Sequence, residues 1–143
     1  MTPSQPDQVR HAVLAMPMAQ TLKLQFNRVE PGDVELQIPV QEAWCFRPGQ
    51  LQATAVFAVA DFAAVAAAGT VLPPGFINAT IDASLKLIAP ALGSHLVARG
   101  RVVSASRLLT VCAADVYAVH EGHETLCATL LGTARNIELR AAA

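Results

Sequence analysis

The chain has 143 residues, of which 53% are hydrophobic and 15% charged, and its net charge is −1. This composition excludes a disordered chain, and the absence of a Lys/Arg run argues against sequence-independent nucleic-acid binding. The length predicts one domain over residues 1–143. The apolar content exceeds what one compact monomer of this size needs, so we expect a second copy to cover part of the surface.

Three cysteines, Cys45, Cys112 and Cys127, are an odd number, which argues against a disulfide framework. The first six residues have neither the basic start nor the apolar core of a signal peptide, so the sequence favours a cytoplasmic protein with free thiols. No cysteine pair has the spacing of zinc ligands. His120 and His123 flank a predicted turn, where solvated histidines are typical, and no metal site is expected.

The first third of the sequence predicts a short helix and a β-hairpin. The helix covers 5–15 and ends before Pro17. Apolar residues then alternate with polar ones over 22–26 and over 34–40, and Pro31-Gly32 lies between the two runs. Alternation on both sides of a turn dipeptide is typical of two antiparallel strands with one buried face.

Residues 54–68, TAVFAVADFAAVAAA, contain no Gly or Pro and are rich in alanine, the strongest helix former. We expect this helix to stop at Gly69 and to be buried on all sides, because it is apolar all round. A membrane span needs about 20 strongly apolar residues, and a central Asp costs about 2.5–3.5 kcal/mol on insertion scales. Alanine adds little to insertion and no basic cluster flanks the segment, so a buried core helix is favoured.

Four more strands are predicted after the helix. Apolar residues alternate with polar ones over 81–87, and further runs cover 96–103, 108–119 and 125–137. Short turns between them favour an antiparallel sheet, and an apolar helix has to lie against it. The predicted fold class is α+β.

Asp61 does not suit an apolar helix. A buried carboxylate without a partner costs several kcal/mol, so Asp61 either reaches solvent, accepts bonds from a strand, or serves as a base or nucleophile in an apolar cleft. The helix start over 49–54 supplies unpaired backbone N–H groups that are suited to a developing oxyanion. We expect one groove to hold both the helix start and Asp61.

The sequence resembles the hot-dog-fold acyl-CoA thioesterases of the phenylacetate-catabolism type over residues 18–137. The resemblance rests on the hairpin with Pro31-Gly32, the helix start LQATAVFAVAD, the strand TIDASLKLIAPALG and the closing LLGTAR. It implies an antiparallel sheet wrapped around one long central helix. It also implies a homodimer or homotetramer whose sites are made by two subunits.

The family carries a His-Gly-Gly motif and an acidic residue nine positions after its histidine. The resemblance places that acid on Asp61, as base or nucleophile at the thioester carbonyl. The histidine falls on Gln52, and the glycine whose N–H polarises the carbonyl falls on Ala53. The second glycine falls on Thr54, where the approach to substrate is narrower. An upstream family asparagine falls on Phe46.

Two further residues follow from the resemblance. A hydroxyl that the family contributes across the dimer corresponds to Thr80, allowing a shift of one residue. A basic residue near the CoA tail corresponds to Arg107. The implied substrate is an acyl-CoA or acyl-carrier thioester, with no separate cofactor because CoA enters as part of the substrate.

Two other functions stay open. The replacement of His-Gly-Gly by Gln52-Ala53-Thr54 favours a module that binds acyl-CoA without turnover, and Asp61 argues against it. A dehydratase on the same fold needs a histidine near the helix, and none is predicted there. The sequence does not specify the acyl group.

Overall fold

The computed structural model describes residues 3–140. In chain order the helices and strands are α1 (Gln5–Leu14), α2 (Pro17–Thr21), β1 (Gln25–Glu30), β2 (Asp33–Pro39), β3 (Cys45–Arg47), β4 (Gln50–Leu51), α3 (Ala53–Gly69), β5 (Phe76–Leu87), β6 (His95–Ala105), β7 (Leu109–His120) and β8 (His123–Glu138).

Six strands form one antiparallel sheet in the order β1-β2-β6-β7-β8-β5, and β3 and β4 form a separate two-stranded sheet. Strands β7 and β8 are joined through Glu121 and Gly122, both with positive φ, as a type I′ hairpin turn requires. The predicted α+β class is confirmed, with one antiparallel sheet packed around one long helix.

The central helix α3 has 17 residues and extends one residue further at each end than the segment predicted from the sequence. Its buried side packs on the inner side of the sheet and is mostly alanine and valine. Small side chains let the helix approach closely: a Cβ on Gly100 of β6 would overlap the carbonyl oxygen of Ala63. Gly100 is therefore the point at which β6 accommodates the backbone of α3.

The expectation that α3 is buried on all sides is wrong for the single chain. Phe57 is 38% exposed, and Ala58, Asp61, Phe62 and Val65 are only partly buried. These positions recur at intervals of three and four residues, so they lie along one side of the helix. We call this side the open side of α3. The sheet covers the opposite side and leaves this one accessible.

The N-terminal helix α1 packs across part of the open side. Ser4 caps it by accepting a hydrogen bond from the Asp7 N–H at 3.3 Å, and Pro6 lies in its first turn. The helix ends at Leu14, before Pro17, as predicted. At its other end, Gln5 Nε2 donates to the carbonyl oxygen of Gly69 at 3.1 Å, which fixes the start of α1 to the end of α3.

Three details differ from the expectation. The helix α2 and the short strands β3 and β4 were not predicted, because segments of two to five residues are too short to show periodicity. Leu22 and Leu24 lie before β1 rather than in it, since Lys23 between them has φ 56° and interrupts an extended strand. Both leucines are nevertheless buried in the core.

The three thiols are free, and those of Cys112 and Cys127 are buried. Burial raises the pKa of both buried thiols to about 11, so they stay protonated at neutral pH. Within residues 3–140 no group of side chains suits a metal ion. No helix in that range is long and apolar enough to cross a membrane.

Candidate functional site

The strand β5 carries a β-bulge that decides where Thr80 points. Thr80 pairs with Ala134 of β8 and Asp82 pairs with the preceding Thr133, so Ile81 is an extra residue without a partner. An extra residue reverses which side of the sheet the following side chains face. Before the bulge Thr80 points toward α3, and Ile81 is 56% exposed although the sequence alternation placed it in the core.

Thr80 and Asp61 are joined directly. The hydroxyl Oγ1 of Thr80 donates a hydrogen bond to Oδ1 of Asp61 at 2.9 Å, within the same chain. The resemblance implied a hydroxyl from across a dimer, whereas here the contact forms within one chain. The other carboxylate oxygen, Oδ2, accepts no hydrogen bond from any group in residues 3–140, so it is free to take a proton.

Burial governs the protonation of Asp61. The carboxyl is half-buried between apolar neighbours of α3, and this burial raises its pKa above the ordinary aspartate value. The hydrogen bond from Thr80 acts in the opposite direction and lowers the pKa. The result is a carboxylate that is more basic than a surface aspartate and still has one oxygen open, which suits a general base.

Asp61 and Thr80 line a cavity of about 460 Å³ between α1, α3 and β5, which we call the Asp61 cavity. Its volume lies in the usual range for small-molecule sites. The lining is mostly apolar, with Val9, Phe62 and Ile77 among its side chains, and among residues 3–140 it includes no Lys, Arg or His. The dehydratase alternative needs a histidine near the helix, and the histidines of the described residues lie elsewhere than in this lining.

Asn78 of β5 holds the strand to the helix beside Asp61. Its Nδ2 donates to the carbonyl oxygen of Val65 at 3.0 Å, one helical turn after Asp61. Asn78 lies two residues before Thr80, so both side chains point to α3. Asn78 was not predicted from the sequence. The regular spacing of positions 76, 78 and 80 is the only sequence feature that would have indicated it.

The start of α3 presents the second predicted group. Gln52 is the N-cap residue, and its side chain makes no capping hydrogen bond. The backbone N–H of Ala53 finds no acceptor among the described residues. The Thr54 hydroxyl donates to Oε1 of Gln52 at 3.5 Å, and all three side chains are exposed. The helix start is thus open to a ligand from solvent.

Ala53 borders a different cavity, of about 310 Å³, which also has Phe46 in its lining; we call it the Ala53 cavity. Phe46 is 61% exposed. The expectation that one groove of the chain holds both the helix start and Asp61 is wrong. Eight residues of α-helix separate Ala53 from Asp61 by about 12 Å, too far for one carbonyl group to contact both.

Arg107 lies apart from both cavities, in the turn between β6 and β7. Asn136, which is 7% exposed, holds this turn: its Nδ2 donates to the carbonyl oxygens of Ser106 at 2.9 Å and Arg107 at 3.3 Å. The hydroxyl of Thr110 donates in turn to Oδ1 of Asn136 at 3.2 Å. The backbone of the turn is therefore fixed, while the Arg107 side chain is exposed.

No protein-family model matches the sequence, and no curated protein matches it. Among solved structures, a thioesterase family protein from Silicibacter pomeroyi is 30% identical, with a TM-score of 0.90 over 92% of this chain and 97% of that chain. A thioesterase from Haemophilus influenzae is 17% identical, with a TM-score of 0.80 over 98% of this chain and 95% of that chain.

The PaaI protein of E. coli, from the phenylacetic acid degradation operon, is 16% identical, with a TM-score of 0.81 over 95% of this chain and 97% of that chain. At these low identities the Haemophilus and E. coli structures show a shared fold. The Silicibacter protein is similar in sequence as well, over nearly its whole length. The chain therefore belongs to the thioesterase family and has its hot-dog fold.

Proposed function

We propose that this protein hydrolyses the thioester of an acyl-CoA or an acyl-carrier protein, giving the free acid and the thiol. The observation that carries the proposal is the Asp61–Thr80 pair at the wall of an apolar cavity. One end of such a substrate is an apolar acyl group, and its carbonyl carbon is the atom that water attacks. The cavity supplies the apolar surroundings, and Asp61 supplies the base.

In the proposed reaction Asp61 takes a proton from water as the water oxygen bonds to the thioester carbon. The carbonyl oxygen becomes an oxyanion, which accepts a hydrogen bond from a backbone N–H group. The C–S bond then breaks, the thiolate leaves, and Asp61 returns its proton to the sulfur. Atoms and charge balance without a metal or a redox cofactor, and CoA is part of the substrate.

The oxyanion donor in this proposal is the Ala53 N–H of a second copy. Ala53 and Asp61 of one chain are about 12 Å apart, so a shared carbonyl group requires two chains. Two features support pairing. Strand β5 is an uncovered sheet edge with Ile81 56% exposed, and Phe57 of the open side of α3 is 38% exposed. Apolar edges of this kind are usually covered. The assembly is a homodimer, or a homotetramer built from dimers.

The remaining site residues have supporting roles in the proposal. Thr80 orients the Asp61 carboxylate, and Gln52 donates a side-chain hydrogen bond to substrate or water at the helix start. Thr54 lies beside the same opening and contacts the CoA portion. Arg107 binds the CoA phosphates from its exposed turn.

The test is Asp61→Asn, assayed for thiol release with a panel of acyl-CoAs. We expect kcat to fall by ~10²–10⁴, the range of acid–base assistance, with binding of acyl-CoA retained. The amide oxygen of the introduced asparagine can still accept the hydrogen bond from the Thr80 hydroxyl. Asp82→Asn is the matched control, because Asp82 is exposed on the same strand. An Asp61→Asn enzyme with normal turnover contradicts the mechanism.

The same variant also has an expected effect on stability. A carboxyl whose pKa is raised by folding contributes stability below its unfolded pKa, and this contribution is lost as pH rises through the folded pKa. At pH 7 the ionised Asp61 is therefore a net cost, and Asp61→Asn should leave Tm unchanged or raise it. A clear drop in Tm with unchanged kcat means that the ionised carboxylate of Asp61 has a structural role that the neutral amide cannot take over.

Asp61 as nucleophile gives a second route with the same residue. In that route a carboxylate oxygen bonds to the acyl carbon and expels the thiolate, and water then hydrolyses the mixed anhydride. Acid quenching within one turnover, followed by mass spectrometry of the intact chain, distinguishes the two routes. An acyl adduct on Asp61 identifies the nucleophile, whereas hydrolysis without an adduct supports the general base.

A non-catalytic acyl-CoA-binding module is the second candidate function, and Gln52-Ala53-Thr54 favours it. Thr54 narrows the opening that a glycine leaves, although the backbone N–H of Ala53 is still present. If the protein is such a module, neither wild type nor Asp61→Asn releases thiol. The substitution then changes only the affinity for acyl-CoA. Turnover by wild type excludes it.

A further inference from the structure

The Asp61 cavity runs along α3 from Asp61 toward Gly69, away from the Ala53 end of the helix. These eight residues of helix give the cavity a length of about 12 Å. Asp61 and Thr80 are the polar groups at one end. If the thioester carbonyl lies at Asp61 and the thiol part of the substrate faces solvent, the acyl chain extends along α3 into the cavity.

At the Gly69 end of the cavity, α1 packs against α3. A Cβ on Gly69 would lie 3.2 Å from Cγ2 of Val9, so the two helices are already in van der Waals contact there. The hydrogen bond from Gln5 to the Gly69 carbonyl oxygen holds α1 in this position. Val9 is therefore the α1 side chain that lies against α3 at this end of the cavity.

The polar side chains at this end are already engaged with the backbone. Gln5 donates to Gly69 and Asn78 donates to Val65, and no cationic side chain of the residues that the structure describes lines the cavity. An acyl group that ends in a carboxylate or phosphate would find no positive partner here. A plain alkyl or aryl group needs none, so this is the class of acyl group that suits the lining.

We propose that the N-terminal helix α1 is the specificity wall of the acyl site, and that Val9 and Ala12 set the longest alkyl or aryl acyl group accepted. The inference rests on the proposed function, because it takes Asp61 as the position of the thioester carbonyl. Both side chains line the cavity from α1, opposite α3 and β5. Enlarging Ala12 reduces the space in the cavity, and trimming Val9 extends this space at the Gly69 end.

The test compares kcat/KM for acetyl-, hexanoyl-, decanoyl- and palmitoyl-CoA among Ala12→Leu, Val9→Ala and wild type. One methylene group too many or too few for an apolar pocket changes kcat/KM by about 10–200-fold. We expect Ala12→Leu to lower kcat/KM for the longest good substrate at least about tenfold while that for acetyl-CoA stays unchanged. Val9→Ala should shift the preference to a longer chain.

The matched control is Ala15→Leu, the same substitution just after α1 at an exposed position outside the cavity lining. It should leave the chain-length profile unchanged. Unfolding curves of all the variants show whether α1 remains docked. A chain-length profile that is the same in Ala12→Leu, Val9→Ala and wild type overturns the inference.

Binding of non-hydrolysable thioether analogues of the same four acyl-CoAs separates this inference from the proposed function. If wild type hydrolyses no thioester but Ala12→Leu selectively weakens binding of the long analogues, the specificity wall stands and the hydrolase proposal fails. If wild type hydrolyses thioesters and neither substitution on α1 alters selectivity in turnover or binding, the hydrolase proposal stands and the specificity wall fails.

Discussion

The hydroxyl of Thr80 donates to Asp61 at 2.9 Å because a single extra residue, Ile81, interrupts the pairing of β5 with β8. Without this bulge, positions 80, 82 and 84 would share one side of the strand, and Asp82 is exposed on the outer side. Bulges are frequent beside active sites, where they redirect a side chain. Here the bulge brings a donor to a half-buried carboxylate.

Replacing Thr80 by Val should therefore change the pH dependence of the reaction. The bond from Thr80 lowers the pKa of Asp61 against the larger raising effect of burial. Without it the pKa rises further, and a base has to be ionised to act. We expect the acidic limb of the kcat/KM profile to move to higher pH, with a smaller change in the rate at alkaline pH.

Thr80→Ser is the control, because it keeps the hydroxyl, and its profile should match that of wild type. Direct titration of the Asp61 carboxyl by NMR gives an independent readout of the pKa. If Thr80→Val leaves both the profile and the titration unchanged, the hydrogen bond has no role in setting the protonation of Asp61.

The periodicity of the sequence was enough to predict most of the fold. Alternating apolar residues gave the long strands of the sheet, and the alanine-rich run over 54–68 gave α3 to within a residue or two at each end. These patterns are strong because each repeats over many residues and reflects one buried side. The bulge at Ile81 was not predictable in this way, since one extra residue leaves the apolar and polar alternation of 80–87 intact.

The candidate site could be predicted only in part. Asp61 was identified because a carboxylate in an apolar helix needs an explanation. A hydrogen bond to Asp61 from a strand was one of the alternatives taken from the residues, and the family resemblance named Thr80 only as a hydroxyl from across a dimer. An apolar cleft at Asp61 was one of the predicted alternatives, but the wall that α1 contributes was not predicted, because α1 is distant from α3 along the chain. Ala53 and Asp61 line separate cavities because eight residues of helix hold them about 12 Å apart.

Gly100→Ala should destabilise the fold strongly for a change of one methyl group. The added Cβ would overlap the carbonyl oxygen of Ala63, which is helix backbone and cannot rotate away. Overpacking of this kind typically costs about 1–3 kcal/mol in the free energy of unfolding. Chemical denaturation measures it, with Ser104→Ala as an exposed control on the same strand expected within about 0.5 kcal/mol of wild type.

If Gly100→Ala is as stable as wild type, α3 can move away from β6 at little cost. In that case the close packing of the helix on the sheet would not be a fixed feature of the core, and Asp61 on the opposite side of α3 would have to tolerate the same movement. A reduced kcat without lost stability would show that such movement reaches the site.

Arg107→Ala should raise KM for acyl-CoA and change kcat little. Binding of the CoA phosphates is the same in the ground state and the transition state, so its loss affects KM alone. Hydrolysis of an N-acetylcysteamine thioester, which lacks the nucleotide, should be unaffected. Arg10→Ala is the control, an exposed arginine on α1. Equal losses on both substrates would show that Arg107 acts elsewhere than on the phosphates.

The sharpest prediction concerns the Ala53 N–H, which proline can remove with little other change. Ala53 is the first residue of α3, where proline is well tolerated, and Gln52 before it has φ −63° and ψ 150°, a conformation compatible with a following proline. We expect Ala53→Pro to keep its fold and to lose ~10²–10³ in kcat, the usual cost of one oxyanion donor. Ala53→Ser, which keeps the N–H, should remain active.

Mixed dimers of one Ala53→Pro chain and one Asp61→Asn chain test whether each site is shared between two copies. Light scattering should first give twice or four times the chain mass of 15.0 kDa. Chains of the two variants, co-expressed with different tags and purified through both, form heterodimers. If Asp61 of one chain works with the Ala53 N–H of the other, one of the two sites in each heterodimer is intact, and activity returns to about half of wild type. A heterodimer no more active than the Ala53→Pro homodimer would mean that both groups act within one chain, and the geometry of α3 would then have to change on substrate binding.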